Sequence, residues 1–510
     1  MAWLVLSCFG LLTGCASLPD PPPRHESKAL QDWASTALAR QVALKTPAEA
    51  PDFSGFHLLP GAADSLSARI ELIQRAQKTI DAQYYVIQGD ATGHAFLRAL
   101  RDAGERGVRV RLLVDDLYTA GEEPLLRGLA ATPNVEVRLF NPIPARGIGF
   151  VSRQLLSLSS VKRTSRRMHN KLFIADNAVS VSGGRNVADA YFMRRPLTNF
   201  VDLDILAVGP AVREQSAVFD RFWNSEHVYD AVALVGEGPG AVEARSRFER
   251  LTAPNEDGSS APGAAGVIDG VLHGARPLDW APAQVIADDP VKAAGPGRVK
   301  LEDTAVGVSV ATFESARKEI FLVSPYFVPG ERGMTVIART RERGVRLVVL
   351  TNSLAATDES VVFGAYAKYR LRLLKMGVEL GELSPERARR RGHITELGRS
   401  NAMLHAKFGI VDQRILVIGS MNLDPRSADI NTEVGLRIDS HALAARLLGL
   451  LAADRFESAY RLRVAADGRG IEWVATEDGV ESIYTSEPEV SLWRRLGLFL
   501  SAPWIPEDLL

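Results

Sequence analysis

The sequence predicts an α/β protein made of two fused half-domains, each with a mainly parallel or mixed sheet flanked by helices. The first observation is a motif that occurs twice: MHNKLFIADNAVSVSGGRN begins at Met168, and LHAKFGIVDQRILVIGSMN begins at Leu404. Both copies read His-x-Lys, four residues, Asp, six residues, Gly-Gly/Ser-x-Asn, without a gap. A shared register of this length is hard to obtain by chance. We therefore expect two related halves that build one active site between them.

The second observation is the order of elements upstream of each motif. An apolar strand pattern begins at Thr79 and again at Glu319, and each is followed by a short helical pattern rich in Ala and Arg. Next comes ERGVRVRLLV from Glu105, which recurs as ERGVRLVVL from Glu342. Strand, helix and strand in this order predict an α/β half-domain. Two fused copies create a pseudo-twofold interface, where a ligand site is expected.

Each motif is itself predicted to be a β-hairpin. Apolar, β-favouring residues follow each His-x-Lys, and a turn at Asp176 or Asp412 separates them from a second β-rich run. Residues i and i+2 of a strand face the same side, so each His should project beside its Lys. Asp is common in turns, so we expect a structural ion pair rather than a catalytic role for Asp176 and Asp412.

The residue types of the repeat suit a tetrahedral phosphate. Two ammonium groups and two amides can hold its non-bridging oxygens, while one imidazole attacks phosphorus and the other transfers protons. A metal site is the rival interpretation, but a charged Lys does not ligate metals, so no metal or other cofactor is expected. The predicted catalytic residues are His169, Lys171, Asn186, His405, Lys407 and Asn422.

A carboxylate follows each motif at a similar place, Asp202 in the first half and Glu433 in the second. Either could accept the Nδ1 proton of a histidine, which would fix the tautomer and leave Nε2 for chemistry. The alternative for Asp202 is an exposed acid at a strand edge.

The motifs resemble the HKD motifs of the phospholipase D superfamily. The segments DAQYYVIQGD, SGGRNVADAYF, SPYFVP, LTNSLAATD and GSMNLDPRS extend the likeness to bacterial cardiolipin synthases of the phospholipase D type, in the branch with GGRN in the first motif. The resemblance implies two phospholipase D-like halves. Gly184 departs from the serine of the superfamily pattern, which leaves Ser420 as the only hydroxyl at that motif position.

The resemblance also implies an activity, a ping-pong transfer that forms cardiolipin. A phospholipid headgroup leaves, a phosphatidyl-histidine forms, and a hydroxyl of phosphatidylglycerol takes the phosphatidyl group. By analogy His169 is the nucleophile and His405 the acid and base. The donor is phosphatidylglycerol or phosphatidylethanolamine, which the sequence does not distinguish. The stretch from Asp288 to Pro290 is similar to one in this branch, and we expect no role for it beyond a pocket rim.

Three classes of function remain open at this stage. Besides the transferase, the same site could hydrolyse phospholipid with water, or hold a phosphate without turnover. A nuclease is disfavoured because the net charge is −1, which gives no basic field for nucleic acid. A membrane surface is the expected partner, and neither an accessory protein nor the oligomeric state can be predicted.

The N-terminus indicates export and lipidation. An apolar run from Trp3 is too short to span a bilayer and ends in LTGC, which resembles the lipobox of bacterial lipoproteins. Cleavage would leave Cys15 as a lipidated first residue on the periplasmic side, with sorting to the outer membrane. The only other cysteine is Cys8, so no disulfide is expected in the mature chain.

These features give a predicted division of the chain. The C-terminal tail carries aromatic and apolar residues with Arg494 and Arg495, so it either lies in a membrane interface or packs on the second half. The predicted segments are a signal peptide at 1–14, a lipidated spacer at 15–58, a first half at 59–232, a linker at 233–296, a second half at 297–468 and a tail at 469–510.

Overall fold

A computed structural model describes most of the chain. The described residues are 18, 25–144, 149, 161–235, 240–254, 266–295, 299–391, 401–452, 458–477 and 479–501. The predicted signal peptide and the lipidation site Cys15 lie outside the described residues.

The first half is built on a nine-stranded sheet in the order β10-β1-β8-β6-β5-β2-β3-β4-β9. Only β2, β3 and β4 pair in parallel. Its strands are β1 (Ser54–Leu59), β2 (Thr79–Tyr84), β3 (Arg109–Asp115), β4 (Val135–Phe140), β5 (Leu172–Ala175), β6 (Val179–Gly183), β8 (Asp204–Val208), β9 (Val228–Asp230) and β10 (Asp279–Ala281), while β7 (Thr198–Val201) lies outside this sheet.

The second half repeats this plan with a ten-stranded sheet in the order β11-β18-β17-β16-β12-β13-β14-β19-β20-β21. Again only three strands, β12 to β14, pair in parallel. Its strands are β11 (Ala283–Ala287), β12 (Glu319–Val323), β13 (Arg346–Asn352), β14 (Glu379–Leu383), β16 (Phe408–Val411), β17 (Ile415–Gly419), β18 (Val434–Asp439), β19 (Ala459–Val464), β20 (Ile471–Glu477) and β21 (Val480–Tyr484), while β15 (Asn401–Leu404) pairs with β7.

The prediction of an α/β protein with two related halves, each on a mainly parallel or mixed sheet, is confirmed, and both sheets are mixed. The sheets are mixed because the motif hairpin and the strand after it add to one side of the parallel strands in antiparallel fashion. Both predicted hairpins are present, as β5–β6 and β16–β17.

Helices cover the sheets and follow the expected amphipathic pattern. In Ala91–Glu105, for example, Asp90 accepts a capping hydrogen bond from the Gly93 amide at 3.0 Å, and Phe96 and Leu100 are buried. The helices of the first half are Ala37–Ala43, Ala62–Arg75, Ala91–Glu105, Glu123–Ala130, Val161–Thr164, Pro210–Trp223, Ala231–Val235, Ala241–Thr252 and Val267–His273. Those of the second half are Ala305–Glu314, Gly330–Glu342, Ser360–Ala367, Arg370–Lys375, Pro385–Arg391, His441–Ala452 and Leu492–Ser501.

A hydrophobic core joins the two halves. One cluster of buried residues contains Ile174 and Ile205 from the first sheet together with Phe408 and Leu416 from the second. Each half also has its own core on the outer side of its sheet. The shared cluster holds the motif hairpins face to face, and this positions the functional site.

The predicted segment boundaries shift in the structure. Leu38 and Val42 are buried in the core of the first half, and β1 starts at Ser54, ahead of the predicted start at 59. Within 233–296, β10 pairs with β1 while β11 pairs with β18, so this segment belongs to both sheets. Pairing at a sheet edge satisfies backbone groups that a free linker would leave to water. Strands β20 and β21 extend the second sheet past 468.

The C-terminal helix Leu492–Ser501 both packs on the second half and exposes apolar residues. Arg494 donates hydrogen bonds of 3.2 Å to the Thr357 carbonyl and to Ser360 Oγ. On the same helix, Leu492 is 72% and Trp493 80% exposed. Among the described residues, no helix is both long and apolar enough to cross a bilayer.

Candidate active site

The motif aspartates lie at the hairpin turns and tie each hairpin to the start of a neighbouring strand. Asp176 and Asp412 have φ of 51° each, in the left-handed region that Asp tolerates in turns. The carboxylate of Asp176 accepts hydrogen bonds from the backbone amides of residues 77, 78 and 79. The carboxylate of Asp412 accepts hydrogen bonds from the backbone amides of residues 317, 318 and 319. The role is structural, as expected, but the predicted ion pair is wrong because the partners are backbone amides.

Backbone pairing between the halves locates both histidines. Met168 forms a parallel bridge with Thr432, and the His169 amide donates to the Thr432 carbonyl at 2.9 Å. In the same way β15 pairs in parallel with β7, so that Leu404 lies opposite Val201. His169 follows Met168, which pairs with Thr432, the residue before Glu433. In the same way, His405 follows Leu404, which pairs with Val201, the residue before Asp202. The carboxylate beside each histidine therefore comes from the other half.

The histidine–carboxylate pairs are short and buried. His169 Nδ1 donates to Glu433 Oε2 at 2.9 Å, and His405 Nδ1 donates to Asp202 Oδ2 at 2.6 Å. Both carboxylates are almost completely buried, which excludes the exposed strand-edge alternative for Asp202. Each pair fixes the imidazole tautomer and leaves Nε2 free for chemistry.

The equivalent motif positions hold Gly184 and Ser420 because Asp202 and Glu433 contact these two positions in different ways. A Cβ at position 184 would overlap Asp202 Oδ1 and lie 2.7 Å from its Cγ. Ser420 instead donates from Oγ to Glu433 Oε2 at 2.5 Å and accepts from the Val434 amide at 3.0 Å. Glycine in the first motif therefore leaves the space that Asp202 needs, while serine in the second motif supports Glu433.

The two lysines are buried beside their histidines. Lys171 Nζ donates to the His169 carbonyl at 2.6 Å, and Lys407 Nζ donates to the His405 carbonyl. Lys171 also lies over the ring of Tyr85, 5.3 Å from its centre. An ammonium has three donors and this contact uses one. The remaining donors suit an anion held between the histidines.

The two asparagines line the same cavity but have different partners. Asn186 accepts from the Val86 amide at 3.2 Å and donates to the Tyr191 hydroxyl at 2.9 Å. The backbone amide of Asn422 donates to Ser427 Oγ at 3.1 Å, and its buried side-chain Oδ1 has no hydrogen-bond partner among the described residues. The side chain of Asn422 is thus the less committed of the two toward a ligand.

Burial and the charges of the site set its protonation. Burial lowers the pKa of His169 to about 4 against the opposing charge of Glu433, and burial together with Lys407 lowers the pKa of His405 to about 3. Both imidazoles are therefore neutral at pH 7 in the empty site. Burial also lowers the pKa of Lys407 to about 8.

The carboxylates stay ionised in spite of their burial. Burial raises the pKa of Asp202, but its interaction and hydrogen bond with His405 and the charge of Lys407 outweigh this effect and lower the pKa to about 2. The pKa of Glu433 is lowered in the same sense, because His169 and Lys171 outweigh the effect of burial. Each histidine therefore has a fixed negative charge behind it.

A cavity of about 610 Å³ contains both histidines and both asparagines. Two guanidinium groups, Arg195 and Arg426, and three acids, Asp358, Glu359 and Asp424, also line it. Four of the six predicted catalytic residues therefore line one cavity between the halves, and the two lysines lie buried beside the histidines.

Sequence reasoning missed the aromatic residues of this cavity. The ring of Tyr85 lies 5.0 Å from that of His169, and the rings of Tyr191 and Phe200 each lie 5.0 Å from that of His405. Tyr326 donates to Asp358 at 2.8 Å. A signal was present, since Tyr85 directly follows β2 and Tyr326 lies three residues after β12, at the strand ends where ligand sites form in α/β sheets.

Asp288 has a role that the sequence did not suggest, because it supports Glu433. Its carboxylate accepts from the Glu433 amide at 2.8 Å, from Lys292 Nζ at 2.9 Å and from the Ala305 amide at 3.0 Å. The expectation of a pocket rim is wrong, since Asp288 is fully buried behind the site. It fixes the backbone that carries the carboxylate partner of His169.

The fold and the crossed histidine–carboxylate pairs define a phosphodiester-transfer enzyme of the phospholipase D superfamily with two HKD motifs. The family described as "Cardiolipin synthase, PLD-like domain" matches residues 69–223 and 310–454. The chain belongs to this family of phospholipase D-type cardiolipin synthases and is a phosphatidyltransferase of that superfamily.

Individual relatives agree with this assignment. The chain is 37% identical over 466 residues to "Cardiolipin synthase C" of Escherichia coli (strain K12), which covers 89% of this chain and 95% of that protein. It is 25% identical to "Cardiolipin synthase A" of Proteus mirabilis over 76% of this chain and 67% of the relative. In fold, it is similar to the phosphatidylserine synthase of Haemophilus influenzae Rd KW20, with a TM-score of 0.56, 14% identity, and 93% and 100% of the two chains covered.

Proposed function

We propose that this phosphatidyltransferase forms cardiolipin from phosphatidylglycerol and a second phospholipid through a phosphohistidine intermediate. The observation that carries the proposal is the pair of histidines that line one cavity, each held at Nδ1 by a buried carboxylate. The similarity to cardiolipin synthases supports the choice of product.

In the first step, His169 Nε2 attacks the phosphorus of the donor phospholipid. The bond from phosphorus to the headgroup oxygen breaks, and that oxygen takes a proton from His405 Nε2. The products are phosphatidyl-His169, neutral His405 and the free headgroup alcohol. Glu433 offsets the positive charge that the phosphorylated ring carries, while Lys171 and Lys407 offset the charge on the phosphate oxygens.

In the second step, a hydroxyl of phosphatidylglycerol attacks the same phosphorus. His405 Nε2 takes the hydroxyl proton, the phosphorus–nitrogen bond breaks, and its electron pair returns to His169. His405 is then protonated again and ready for the next donor. The bound phosphate raises the pKa of His405, because its negative charge offsets the two lysines that lower this pKa in the empty site.

Lipid mass spectrometry tests this function without added metal. Purified protein is incubated with phosphatidylglycerol alone and with an equal amount of phosphatidylethanolamine, beside His169→Ala and His405→Ala variants. We expect cardiolipin only when both histidines are present, and the released glycerol or ethanolamine identifies the donor. Phosphatidic acid without cardiolipin would instead assign a hydrolase that uses water.

We also propose that the C-terminal helix rests in the lipid interface beside the cavity. Leu492, Trp493 and Leu496 are exposed on it, and its contact with Thr357 lies next to the acids that line the cavity. Aromatic and apolar side chains of this kind partition into the headgroup region. Replacing Leu492, Trp493 and Leu496 by Ser should weaken sedimentation with phosphatidylglycerol vesicles, and unchanged sedimentation would contradict the proposal.

Lipid anchoring through Cys15 on the periplasmic side of the outer membrane remains our proposal for localisation. The lipobox-like LTGC sequence supports it. Incorporation of labelled palmitate into the protein in cells, lost in a Cys15→Ser variant, is the expected result. Equal labelling of the wild-type protein and the Cys15→Ser variant would contradict lipid anchoring through Cys15.

A further inference from the structure

An apolar pocket of about 300 Å³ lies in the second half, against the catalytic cavity. It is enclosed by the helices Ala305–Glu314 and Gly330–Glu342 and by the side chains of β12 that face them. Its lining includes Val306, Val310 and Phe313 from the first helix and Val336 and Ile337 from the second.

One short segment separates this pocket from the catalytic cavity. Asn422 lines the cavity, the next residue Leu423 lines the pocket, and Asp424 lines both. The Val328 amide donates to the Leu423 carbonyl at 2.8 Å, which fixes this wall. The apolar pocket and the catalytic cavity therefore lie side by side, with Asp424 in the lining of both.

The internal repeat places a smaller residue at this point of the second half than at the matching point of the first. When the two halves are aligned on the repeated segment that begins at Glu105 and Glu342, Phe96 of the first half corresponds to Gly333 of the second. Each lies nine residues before that Glu. The fully buried ring of Phe96 packs edge-on against Tyr84, with 5.7 Å between the ring centres. Gly333 has no side chain to fill the matching space, and it lines the pocket.

We propose that this pocket binds an acyl chain of the phospholipid whose phosphate lies between the two histidines. The inference rests on the proposed function and deepens it, because it assigns the chain to the His405 half. An acyl chain is the occupant that matches both the apolar lining and a position next to the proposed phosphate site. Burying successive methylenes should raise kcat/KM for the donor by about fourfold per carbon until the pocket is full.

Filling the pocket with the residue of the first half is the sharpest test. Gly333→Phe restores the aromatic ring found at Phe96, and an added Cβ would approach only Pro329 Cβ, at 3.0 Å. Glycine is a poor helix former, so the substitution should not weaken the helix itself. Thr335→Phe is the matched control, because Thr335 is exposed on the same helix and does not line the pocket.

The variants are assayed with dioleoyl- and dihexanoyl-phosphatidylglycerol and with the soluble diester bis(p-nitrophenyl) phosphate. We expect Gly333→Phe to lower kcat/KM for the dioleoyl lipid at least tenfold more than for the soluble diester, with Thr335→Phe like the wild type. Equal losses on all substrates, or no loss, would overturn the proposal. Val310→Phe, which fills the pocket from the opposite helix, gives the same comparison if thermal melting shows Gly333→Phe to be unfolded.

The same assays separate this inference from the proposed function. If the wild-type protein cleaves the soluble diester and makes no cardiolipin from either lipid, the proposed function fails. If it makes cardiolipin but Gly333→Phe and Val310→Phe keep the dependence on chain length, only the acyl-chain site fails.

Discussion

At the scale of single residues, the site depends on carboxylates that cross between the halves. Asp202 belongs to the first half but holds His405, and Glu433 belongs to the second half but holds His169. The repeat in the sequence was enough to predict all four residues. It could not predict the crossing, because this follows from the pairing of β7 with β15, about 200 residues apart in the chain.

The glycine of the first motif gives a prediction at this scale. Gly184→Ser should displace Asp202 from His405, because the added Cβ would overlap the Asp202 carboxylate. Loss of such a supporting contact typically costs 10- to 100-fold in activity, and we expect a fall in kcat of about this size. Steady-state kinetics and thermal melting measure it.

Ser420→Gly is the matched control for this change. It introduces no overlap and removes only the hydrogen bonds that Ser420 makes to Glu433 and the Val434 amide. We expect kcat to fall less in Ser420→Gly than in Gly184→Ser. Wild-type kcat in Gly184→Ser would mean that the close approach of Asp202 is unimportant.

At the scale of elements, the hairpins were predictable because their residues are local. Apolar runs on either side of an Asp turn sufficed to define β5–β6 and β16–β17. The sequence patterns left mainly parallel and mixed sheets open, because strand direction depends on which neighbours each strand finds. The edge strands β10 and β11 were missed, since each contributes only a short run to its sheet.

The turn aspartates give a prediction for the stability of these elements. Asp176→Asn and Asp412→Asn should lower the free energy of unfolding, because an amide accepts hydrogen bonds from the backbone N–H groups more weakly than a carboxylate does. We expect a loss of about 2 kcal/mol for Asp176→Asn, and less for Asp412→Asn because Asp412 is less buried. Urea denaturation measures both.

Activity separates this structural role from a catalytic one. Neither carboxylate contacts the catalytic cavity, so kcat of the folded variants should stay close to the wild-type value. A loss of kcat in both variants without a loss of stability would contradict the structural role.

At the scale of the whole molecule, the buried site should make folding sensitive to acid. The folded-state pKa values of His169 and His405 are about 4 and 3, below the ordinary value of 6.5 expected when the chain is unfolded. Their contribution to stability is therefore complete above pH 6.5. It is lost as the pH falls from 6.5 to about 4 for His169 and about 3 for His405. Each histidine should add a slope of about 1.4 kcal/mol per pH unit there.

Thermal melting between pH 7 and pH 4 tests this expectation. The double variant His169→Gln with His405→Gln should have a flatter pH dependence than the wild type. Part of the slope should remain, because burial also lowers the pKa of His57 and His94. Identical slopes would contradict the neutral state of the two catalytic histidines.

The central claim is that His169 becomes covalently bonded to phosphorus while His405 handles the protons. Trapping the intermediate tests it most directly. A His405→Gln variant is incubated with bis(p-nitrophenyl) phosphate, whose good leaving group needs no general acid, then quenched at alkaline pH and digested for mass spectrometry. We expect a stable phosphoryl adduct on His169 that His169→Gln cannot form. An adduct on any other residue, or turnover without an adduct, would contradict it.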